Sequence, residues 1–412
     1  MPLPTLHYLS HFEPTGYGLS AIAMVRALRN AGYPVRWTPL KRVGYEAIAA
    51  LPWPQALAQA QALGWLRDDE SLSDLLALIA DTSHHALRAS SGFTIAHVVP
   101  EHLTPSFVIA AESAHFQRIA YTTWESDQLP LHWLRFFDAC HHIVTPSTFN
   151  QAVFSRDLNR AVSVVPHVKR HRNNEFSAVE LAQLRRELNI APDEFVFYSI
   201  NHLEPRKGWA GLIEAFVRAF DEGDKVTLLI KTSATGSGDA PYFEPVNARA
   251  YFQNLLARAR AEIKINVPKI CLIDDNKMSG RAIEALHHVG DCYVSLTHGE
   301  GFGMSACDAA CLGKPVLMTG WGGQLDFLGA DHVGNLPYTM VAAPVWPPER
   351  PSFWPSQQWA ECSIAAATQR MKKMVAEAHE FRCSAQLLAE RINPQLSEST
   401  VAAAWAAVLR AA

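Results

Sequence analysis

The second half of the chain alternates short apolar runs with amphipathic stretches so regularly that few folds accommodate it. Runs rich in branched and aromatic residues, typical of buried strands, occur at 195–200, 226–230, 270–273, 292–296 and 315–318. Segments with helical spacing of apolar residues lie between them, at 211–220, 251–263, 280–289 and 304–312. Because parallel strands need a crossover between them, this alternation predicts a parallel sheet with helices on both faces.

The first half begins with the same kind of pattern. A strand is predicted at 6–9, followed by a loop with Gly16 and Gly18, a helix at 19–30 and a strand at 35–37. A mostly helical stretch at 52–90 follows, and further strands are predicted at 94–99, 107–110, 118–122 and 142–144. A strand, glycine loop, helix and strand are typical of a doubly wound α/β domain, which binds ligands at the carboxyl ends of its strands.

The length of 412 residues is sufficient for two such domains. A polar, basic stretch at 166–180 interrupts the apolar periodicity and is interpreted as the linker. We therefore predict a first domain over 1–168 and a second over 169–389. The chain finishes with predicted helices at 362–381 and 399–409, and the last segment, about 390–412, is expected to pack back onto the first domain.

The composition indicates which general class of protein this sequence encodes. A hydrophobic fraction of 49%, a charged fraction of 18% and a net charge of −4 indicate a globular protein without general affinity for nucleic acid. The seven cysteines are scattered and include no Cys-x-x-Cys, which favours reduced thiols and a cytoplasmic location. No apolar run reaches the ~20 residues that span a bilayer, so any membrane contact is expected to be peripheral, at the inner face.

A loop rich in glycine follows the predicted strand at 292–296. Gly299, Gly301 and Gly303 surround Glu300, and a helix is predicted to start directly after them. Glycines let the backbone approach a ligand, and amides at a helix N-terminus suit an anion such as phosphate. Glu300 and Asp308 stand eight positions apart, a spacing that could place two carboxylates along one hydroxyl-rich ligand.

Polar residues follow three other strands of the second domain. They occur at 201–208, 231–232 and 274–276, and a parallel sheet would bring all of them to one edge with the Glu300 loop. Arg206 and Lys207 fit a diphosphate, although a solvated basic turn is the alternative. For Asp274 and Asp275, a helix cap or a contact with a nucleotide base is favoured over a metal site, and no metal-ligand spacing occurs elsewhere.

At these residues the second half resembles the donor-binding domain of glycosyltransferase family 4, whose members have the GT-B fold. The family's Glu-Gly-Phe-Gly element stands here as Glu300–Gly303, followed by Gly313, Pro315 and Val316. The second carboxylate of the family pair is Asp308 instead of Glu. Lys207-Gly208 matches the family's phosphate-binding Lys-Gly, whereas the upstream Arg position holds Asn201 or His202.

The resemblance implies an α/β, GT-B fold with two Rossmann-like doubly wound domains facing a central cleft. It further implies transfer of a sugar from a nucleoside diphosphate to an acceptor hydroxyl with retained configuration, without a cofactor or metal. Lys207 and Arg206 would stabilise the leaving diphosphate, Glu300 would contact the sugar, and Asp308 the ribose. The donor-binding residues implied in this way are Gly16, Gly18, Asn201, Thr232, Asp275, Asn276, Gly301, Phe302, Gly303, Met304, Ser305 and Asp308.

The residues expected to face the acceptor differ from those of the family. Many relatives have a histidine after the strand that matches 118–122, where this chain has Trp124-Glu125-Ser126-Asp127. Glu125 is therefore a candidate catalytic carboxylate, and Trp124, Asp127 and His97 are candidates for contact with the acceptor. The alternative for Glu125 and Asp127 is helix capping ahead of Pro130.

The expected partners are a nucleotide-sugar donor and a carbohydrate, lipid-linked or small-molecule acceptor, in the synthesis of surface polysaccharide or glycoconjugates. Two alternatives share the fold: a nucleotide-sugar epimerase or hydrolase, and a non-catalytic protein that binds nucleotide sugars. A nicotinamide enzyme is the weakest alternative, because Ala21 stands where the third glycine of Gly-x-Gly-x-x-Gly would be.

Overall fold

The computed structural model describes residues 2–64, 66, 69–87, 89–170, 175–237, 245–264, 266–344, 352–354 and 356–412. Part of the predicted linker, residues 171–174, lies outside this range. The chain divides into two compact units, Met1–Arg170 with Asn393–Ala412, and His171–Ile392. They are called here the first and the second domain.

The strands and helices are numbered along the chain. The strands are β1 Thr5–His11, β2 Val35–Arg42, β3 Ile48–Ala50, β4 Gly92–His97, β5 Gln117–Tyr121, β6 His142–Thr145, β7 Ser163–Val164, β8 Phe195–Ile200, β9 Val226–Lys231, β10 Thr235–Ser237, β11 Pro245–Asn247, β12 Lys269–Ile273, β13 Cys292–Ser295, β14 Val316–Thr319, β15 Asn335–Leu336, β16 Tyr338–Ala342 and β17 Gln358–Cys362. The helices are α1 Gly16–Asn30, α2 Trp53–Ala62, α3 Asp69–Thr82, α4 Leu103–Ile109, α5 Thr148–Leu158, α6 Ala178–Glu187, α7 Trp209–Ala219, α8 Ala248–Glu262, α9 Gly280–Val289, α10 Met304–Cys311, α11 Leu325–Leu328, α12 Ile364–Ala376, α13 Ala378–Gln395 and α14 Glu398–Ala411. Short 3₁₀ turns occur at Pro100–His102, Ala111–Ser113, Leu131–Phe137 and Pro205–Lys207.

The first domain is built on a seven-stranded sheet in the order β3-β2-β1-β4-β5-β6-β7. Its pairings are parallel except for the antiparallel pair β2–β3. From β1 the chain first adds strands on one side and then crosses to β4 on the other, so the strand order reverses between β1 and β4. Helix α14 packs on α1 of this domain, where the indole of Trp405 is fully buried beside Met24.

The second domain contains a six-stranded parallel sheet in the order β12-β9-β8-β13-β14-β15. Its core joins aromatic and branched residues of the strands to one face of α7, including Phe197, Leu228, Trp209 and Phe216. The strand order reverses between β8 and β13. In open α/β sheets, ligands bind outside the carboxyl ends of the strands at such a reversal, because the loops on either side diverge there.

Two predicted elements are wrong. The predicted strand at 107–110 is largely the helix α4, since Leu103, Ser106, Phe107 and Ala110 are buried in helical spacing while Val108 is 72% exposed. A short apolar run does not distinguish a strand from a buried helical turn. The predicted single helix at 362–381 is the end of β17 followed by α12 and the start of α13.

Candidate functional site

Glu300 lies at the strand-order reversal of the second domain, in the loop after β13. Its side chain is mostly buried, with only 11% exposed. Oε1 accepts hydrogen bonds from Lys207 Nζ at 2.7 Å and from Thr297 Oγ1 at 3.1 Å. Oε2 lies 3.4 Å from a guanidinium nitrogen of Arg206. One carboxylate and two cations therefore form a compact cluster at this edge, the Glu300–Lys207–Arg206 triad.

The electrostatics of the triad fix the protonation state of Glu300. Burial by itself disfavours the charged form, but the positive charges of Lys207 and Arg206 outweigh it and lower the pKa of Glu300. The hydrogen bonds from Lys207 and Thr297 act in the same direction. Glu300 is therefore a carboxylate at neutral pH, and the triad carries a net positive charge.

The two cations reach Glu300 because the loop after β8 packs against the end of β13. Both belong to the 3₁₀ turn Pro205–Lys207, and Arg206 is buried and donates to the carbonyl of Gly299. The carbonyl of Arg206 accepts from the backbone N–H of His298 at 2.7 Å. Gly208 follows with a φ of +67°, and a Cβ there would lie 2.0 Å from the carbonyl oxygen of Leu296.

Substituting Gly208 by alanine is therefore expected to destabilise the second domain. The left-handed backbone and the contact with a rigid carbonyl together should cost at least ~2 kcal/mol, which lowers the Tm by ~4 °C or more for a domain of this size. Thermal unfolding followed by circular dichroism measures this. Gly223→Ala is the matched control, because a Cβ added at Gly223 would have no other atom within 4 Å; an equal loss of stability in both variants would contradict the argument.

The remainder of the glycine loop shapes the start of α10. Gly303 adopts a φ of +84° as the N-cap residue, and Met304 and Ser305 form the first turn. Phe302 is buried against Phe327 at 5.4 Å between ring centroids. The N-terminal amides of α10 therefore lie in the same loop as Glu300 and suit an anion.

Further along α10, Asp308 is 8% exposed. Asp308 and Glu300 are thus both buried carboxylates, one on the helix and one in the loop that precedes it.

Two predicted donor-binding residues lie at the carboxyl ends of the neighbouring strands. Thr232 directly follows β9 and is fully buried, and its Oγ1 has no hydrogen-bond partner among the described residues. Asn201 follows β8 and donates to the hydroxyls of Tyr293 and Ser199, each at 3.1 Å. A buried hydroxyl without a partner is costly in a folded protein, so Thr232 marks a place where a ligand or water is expected.

Asp275 and Asn276 lie on an exposed turn after β12. Asp275 accepts from the backbone N–H of Lys277 at 2.7 Å, and Asn276 accepts from that of Ala234 at 2.9 Å. The helix-cap alternative is wrong, because Ser279 caps α9 through the backbone N–H of Ala282. Asn276 instead ties the loop after β9 to the loop after β12.

Gly16 and Gly18 belong to the first turn of α1, which starts earlier than predicted. The N–H of Gly18 points to the Thr15 hydroxyl that caps the helix, at 3.5 Å, so this amide is already engaged within the protein. A Cβ on Gly18 would lie 2.0 Å from the carbonyl oxygen of Glu13, which explains the glycine by close packing. Gly16 is exposed at the start of the helix.

His97 and Trp124 are buried inside the first domain, and their predicted contact with an acceptor stays a prediction. His97 is hydrogen-bonded to the Tyr8 hydroxyl at 2.7 Å and the Ser20 hydroxyl at 3.3 Å, and burial lowers the pKa of His97 so that it is neutral. The Trp124 indole packs edge-on against Trp133 and donates to the carbonyl of Gln128 at 2.7 Å. Neither side chain points to solvent.

Glu125 and Asp127 are half-buried in the loop after β5. The backbone carbonyl of Asp127 accepts from Arg156 at 2.6 Å. The 3₁₀ turn Leu131–Phe137 starts at Pro130 without a side-chain cap, so the capping alternative for these two carboxylates is not supported. Asn150 holds the loop by donating to the carbonyl of Trp124 at 2.6 Å.

Thr297 and Gln324 are site residues that sequence reasoning missed. Thr297 is fully buried and orients Glu300, as described above. Gln324 is fully buried and donates to the carbonyls of Thr319 and Trp321, which shapes the glycine turn that packs on the backbone of Glu300. For Thr297 the available signal was its position directly after the predicted strand at 292–296, whereas Gln324 lies six positions after the predicted strand at 315–318 and no comparable signal marks it.

Within the described residues, no three His, Cys, Asp or Glu side chains are grouped so that they could hold a metal ion. Within the same ranges, no helix has the length and apolar character to cross a bilayer.

Part of the chain is similar in sequence to known glycosyltransferases. Residues 182–338 match the family model described as glycosyl transferases group 1. A lipopolysaccharide 1,2-N-acetylglucosaminetransferase of Salmonella typhimurium is 28% identical over 196 residues, which cover 45% of this chain and 46% of the relative. A trehalose synthase of Pyrococcus horikoshii is 22% identical over 169 residues, 40% of this chain and 38% of that protein. The aligned part thus spans less than half the length of these relatives.

Solved structures match the whole chain. HepE from Anabaena in complex with UDP-glucose aligns with a TM-score of 0.63 and 17% identity, covering 99% of this chain and 100% of that one. An E. coli structure bound with UDP-2-fluoro glucose aligns with a TM-score of 0.62 and 13% identity, covering 98% and 99%. The fold is therefore GT-B, with two Rossmann-like domains. The similarity to group 1 glycosyltransferases is in the second domain, and the segment matched by the family model contains Glu300, Lys207 and Arg206.

Proposed function

We propose that this protein is a retaining, metal-independent glycosyltransferase that moves a sugar from a nucleoside diphosphate to an acceptor hydroxyl. The observation that carries the proposal is the Glu300–Lys207–Arg206 triad at the strand-order reversal of the second domain. Structural relatives solved with UDP and UDP-glucose support a nucleotide-sugar donor.

The triad suits the charge that develops during transfer. When the bond between sugar and diphosphate breaks, the leaving group becomes more negative, and fixed cations stabilise that charge without reorganisation. Lys207 and Arg206 supply those cations, and the N-terminal amides of α10 add donors to them. A bound diphosphate would compete with Glu300 for the two cations, which frees the Glu300 carboxylate for sugar hydroxyls and for the positive charge at the anomeric carbon.

A retaining transfer does not require a separate side chain as the base that deprotonates the acceptor hydroxyl. The departing phosphate oxygen would take the acceptor proton on the face from which it leaves. Glu125 and Asp127, in the loop after β5, are the carboxylates assigned to the acceptor side. A role in surface polysaccharide or glycoconjugate synthesis is supported by the relative that acts on lipopolysaccharide, and a cytoplasmic protein without a cofactor is part of the same proposal.

A nucleotide screen followed by a transfer assay tests the proposal. Among UDP, GDP, ADP and dTDP and their sugars, one nucleotide is expected to raise the melting temperature, because a ligand that binds only the folded state stabilises it. The matching sugar nucleotide should then give, with a panel of acceptors, a product that has the same anomeric configuration as the donor, and EDTA should leave the rate unchanged.

The other outcomes separate the alternatives. Strong inhibition by EDTA would contradict metal independence. Free sugar formed without acceptor, or an epimerised nucleotide sugar, would identify a hydrolase or an epimerase. A stabilising nucleotide sugar that is not consumed with any acceptor would indicate a non-catalytic binding protein.

A further inference from the structure

Glu101 occupies the strand-order reversal of the first domain and has no role in the function proposed so far. It lies in the 3₁₀ turn Pro100–His102, which begins three positions after the end of β4, and is 4% exposed. In the first sheet the order reverses between β1 and β4, so the loop that contains Glu101 borders the position where α/β sheets bind ligands.

The two oxygens of the Glu101 carboxylate have unequal surroundings. Oε1 accepts from the Tyr45 hydroxyl at 2.7 Å and from the Trp133 indole N–H at 2.8 Å. Oε2 is buried and has no hydrogen-bond partner among the described residues. Burying a carboxylate oxygen without a hydrogen-bond donor costs more free energy than burying a neutral polar atom. A donor from outside the described residues is therefore expected at Oε2.

His132 presents a second acceptor in the same cluster. The Tyr45 hydroxyl gives its single proton to Glu101, so the contact of 3.1 Å between that hydroxyl and His132 Nε2 requires Nε2 to carry the hydrogen. Burial lowers the pKa of His132, which favours the neutral ring. Nδ1 then has a lone pair, and it too is buried and without a partner among the described residues.

The cluster lies one side chain below the surface. Tyr45 is 39% exposed and belongs to the loop between β2 and β3. That loop contacts both neighbouring 3₁₀ turns: His102 Nε2 is hydrogen-bonded to the Tyr45 carbonyl at 3.0 Å, and Arg135 of the turn Leu131–Phe137 donates to Glu46 at 2.9 Å.

We propose that Glu101 and His132 bind hydroxyl donors of a polyhydroxylated acceptor substrate, with Tyr45 as the residue that covers them. Two acceptor atoms without donors match the hydroxyl groups of a sugar or a similar polyol. A metal ion is disfavoured, because the described residues supply no third His, Cys, Asp or Glu ligand. The identification of the ligand as an acceptor rests on the proposed function, whereas the binding itself does not.

Saturation-transfer NMR with methyl α-D-glucopyranoside, in the absence of any nucleotide, tests the site directly. Wild-type protein is expected to bind this probe saturably, and the fully O-methylated glucoside, which has no hydroxyl donors, is expected not to bind. Glu101→Gln keeps the shape and replaces the unpartnered acceptor by an amide, so the Kd should rise at least ~10-fold, the scale of one hydrogen bond to a charged group. His132→Ala, at a partly exposed position, should raise it several-fold.

The control is Glu112→Gln, which neutralises an exposed carboxylate of the same domain outside this loop and should leave the Kd unchanged. Melting curves and the nucleotide-induced shift in melting temperature report whether each variant folds. Three results would overturn the proposal: no saturable binding to the wild type, equal binding of the O-methylated glucoside, or an unchanged Kd in both Glu101→Gln and His132→Ala. An unchanged Kd in both variants would indicate that a buried water molecule satisfies Oε2. If the wild-type protein binds no nucleotide or transfers no sugar, that result would instead contradict the proposed function.

Discussion

Replacing Glu300 by glutamine is expected to lower kcat by at least ~100-fold, the scale lost with one contact made in the transition state. The amide keeps the shape of the side chain but removes the negative charge that, in the proposed mechanism, faces the anomeric centre. It also removes the partner of Lys207 and Arg206, so binding of the nucleoside diphosphate should be equal or tighter. Steady-state rates of nucleotide release, together with the Kd for the nucleotide, measure the two effects separately.

Glu214→Gln is the matched control for this experiment. Glu214 forms an exposed ion pair with Arg218 on α7 and is expected to be neutral for turnover. A Glu300→Gln variant with a kcat near that of the wild type would contradict the assignment of Glu300. A fall in kcat accompanied by an equal fall in nucleotide binding would indicate a structural role instead.

Lys207→Ala is expected to lower kcat/KM by at least ~100-fold, again the scale of one transition-state contact. The substitution removes a cation that the structure holds 2.7 Å from Glu300. Without it, the leaving diphosphate loses a fixed positive charge, and Glu300 is left buried beside Arg206 alone. Unlike the Glu300 variant, this one should weaken nucleotide binding, which isothermal titration calorimetry measures.

Lys225→Ala serves as the comparison for Lys207→Ala. Lys225 is an exposed lysine of the same domain that is paired with Asp193, so its loss should change neither the Kd for nucleotide nor the rate. Unchanged nucleotide binding in Lys207→Ala would argue against contact between this lysine and the diphosphate.

The fold of the second domain could be predicted closely because its strands are buried on both faces. Such strands appear in the sequence as continuous apolar runs, and the predicted strand at 195–200 and helix at 280–289 agree with β8 and α9. The segment after β4 in the first domain was predicted less well. A 3₁₀ turn starts there at Pro100, and a helix follows over Leu103–Ile109. An apolar run of four residues has too little periodicity to decide between the two structures.

The sequence by itself determined the alternation of the main strands and helices in the second domain, the resemblance that implied a GT-B fold and the glycine loop around Glu300, because these depend on local periodicity and on short motifs. Only the tertiary structure decided which side chains meet. It joined Glu300 to Lys207 across 93 positions of sequence, directed His97 and Trp124 inward, and left one oxygen of Glu101 without a donor. Such contacts depend on which strands become neighbours and on which loops pack over them. Because the residues in contact are far apart along the chain, no local sequence pattern predicts the contact.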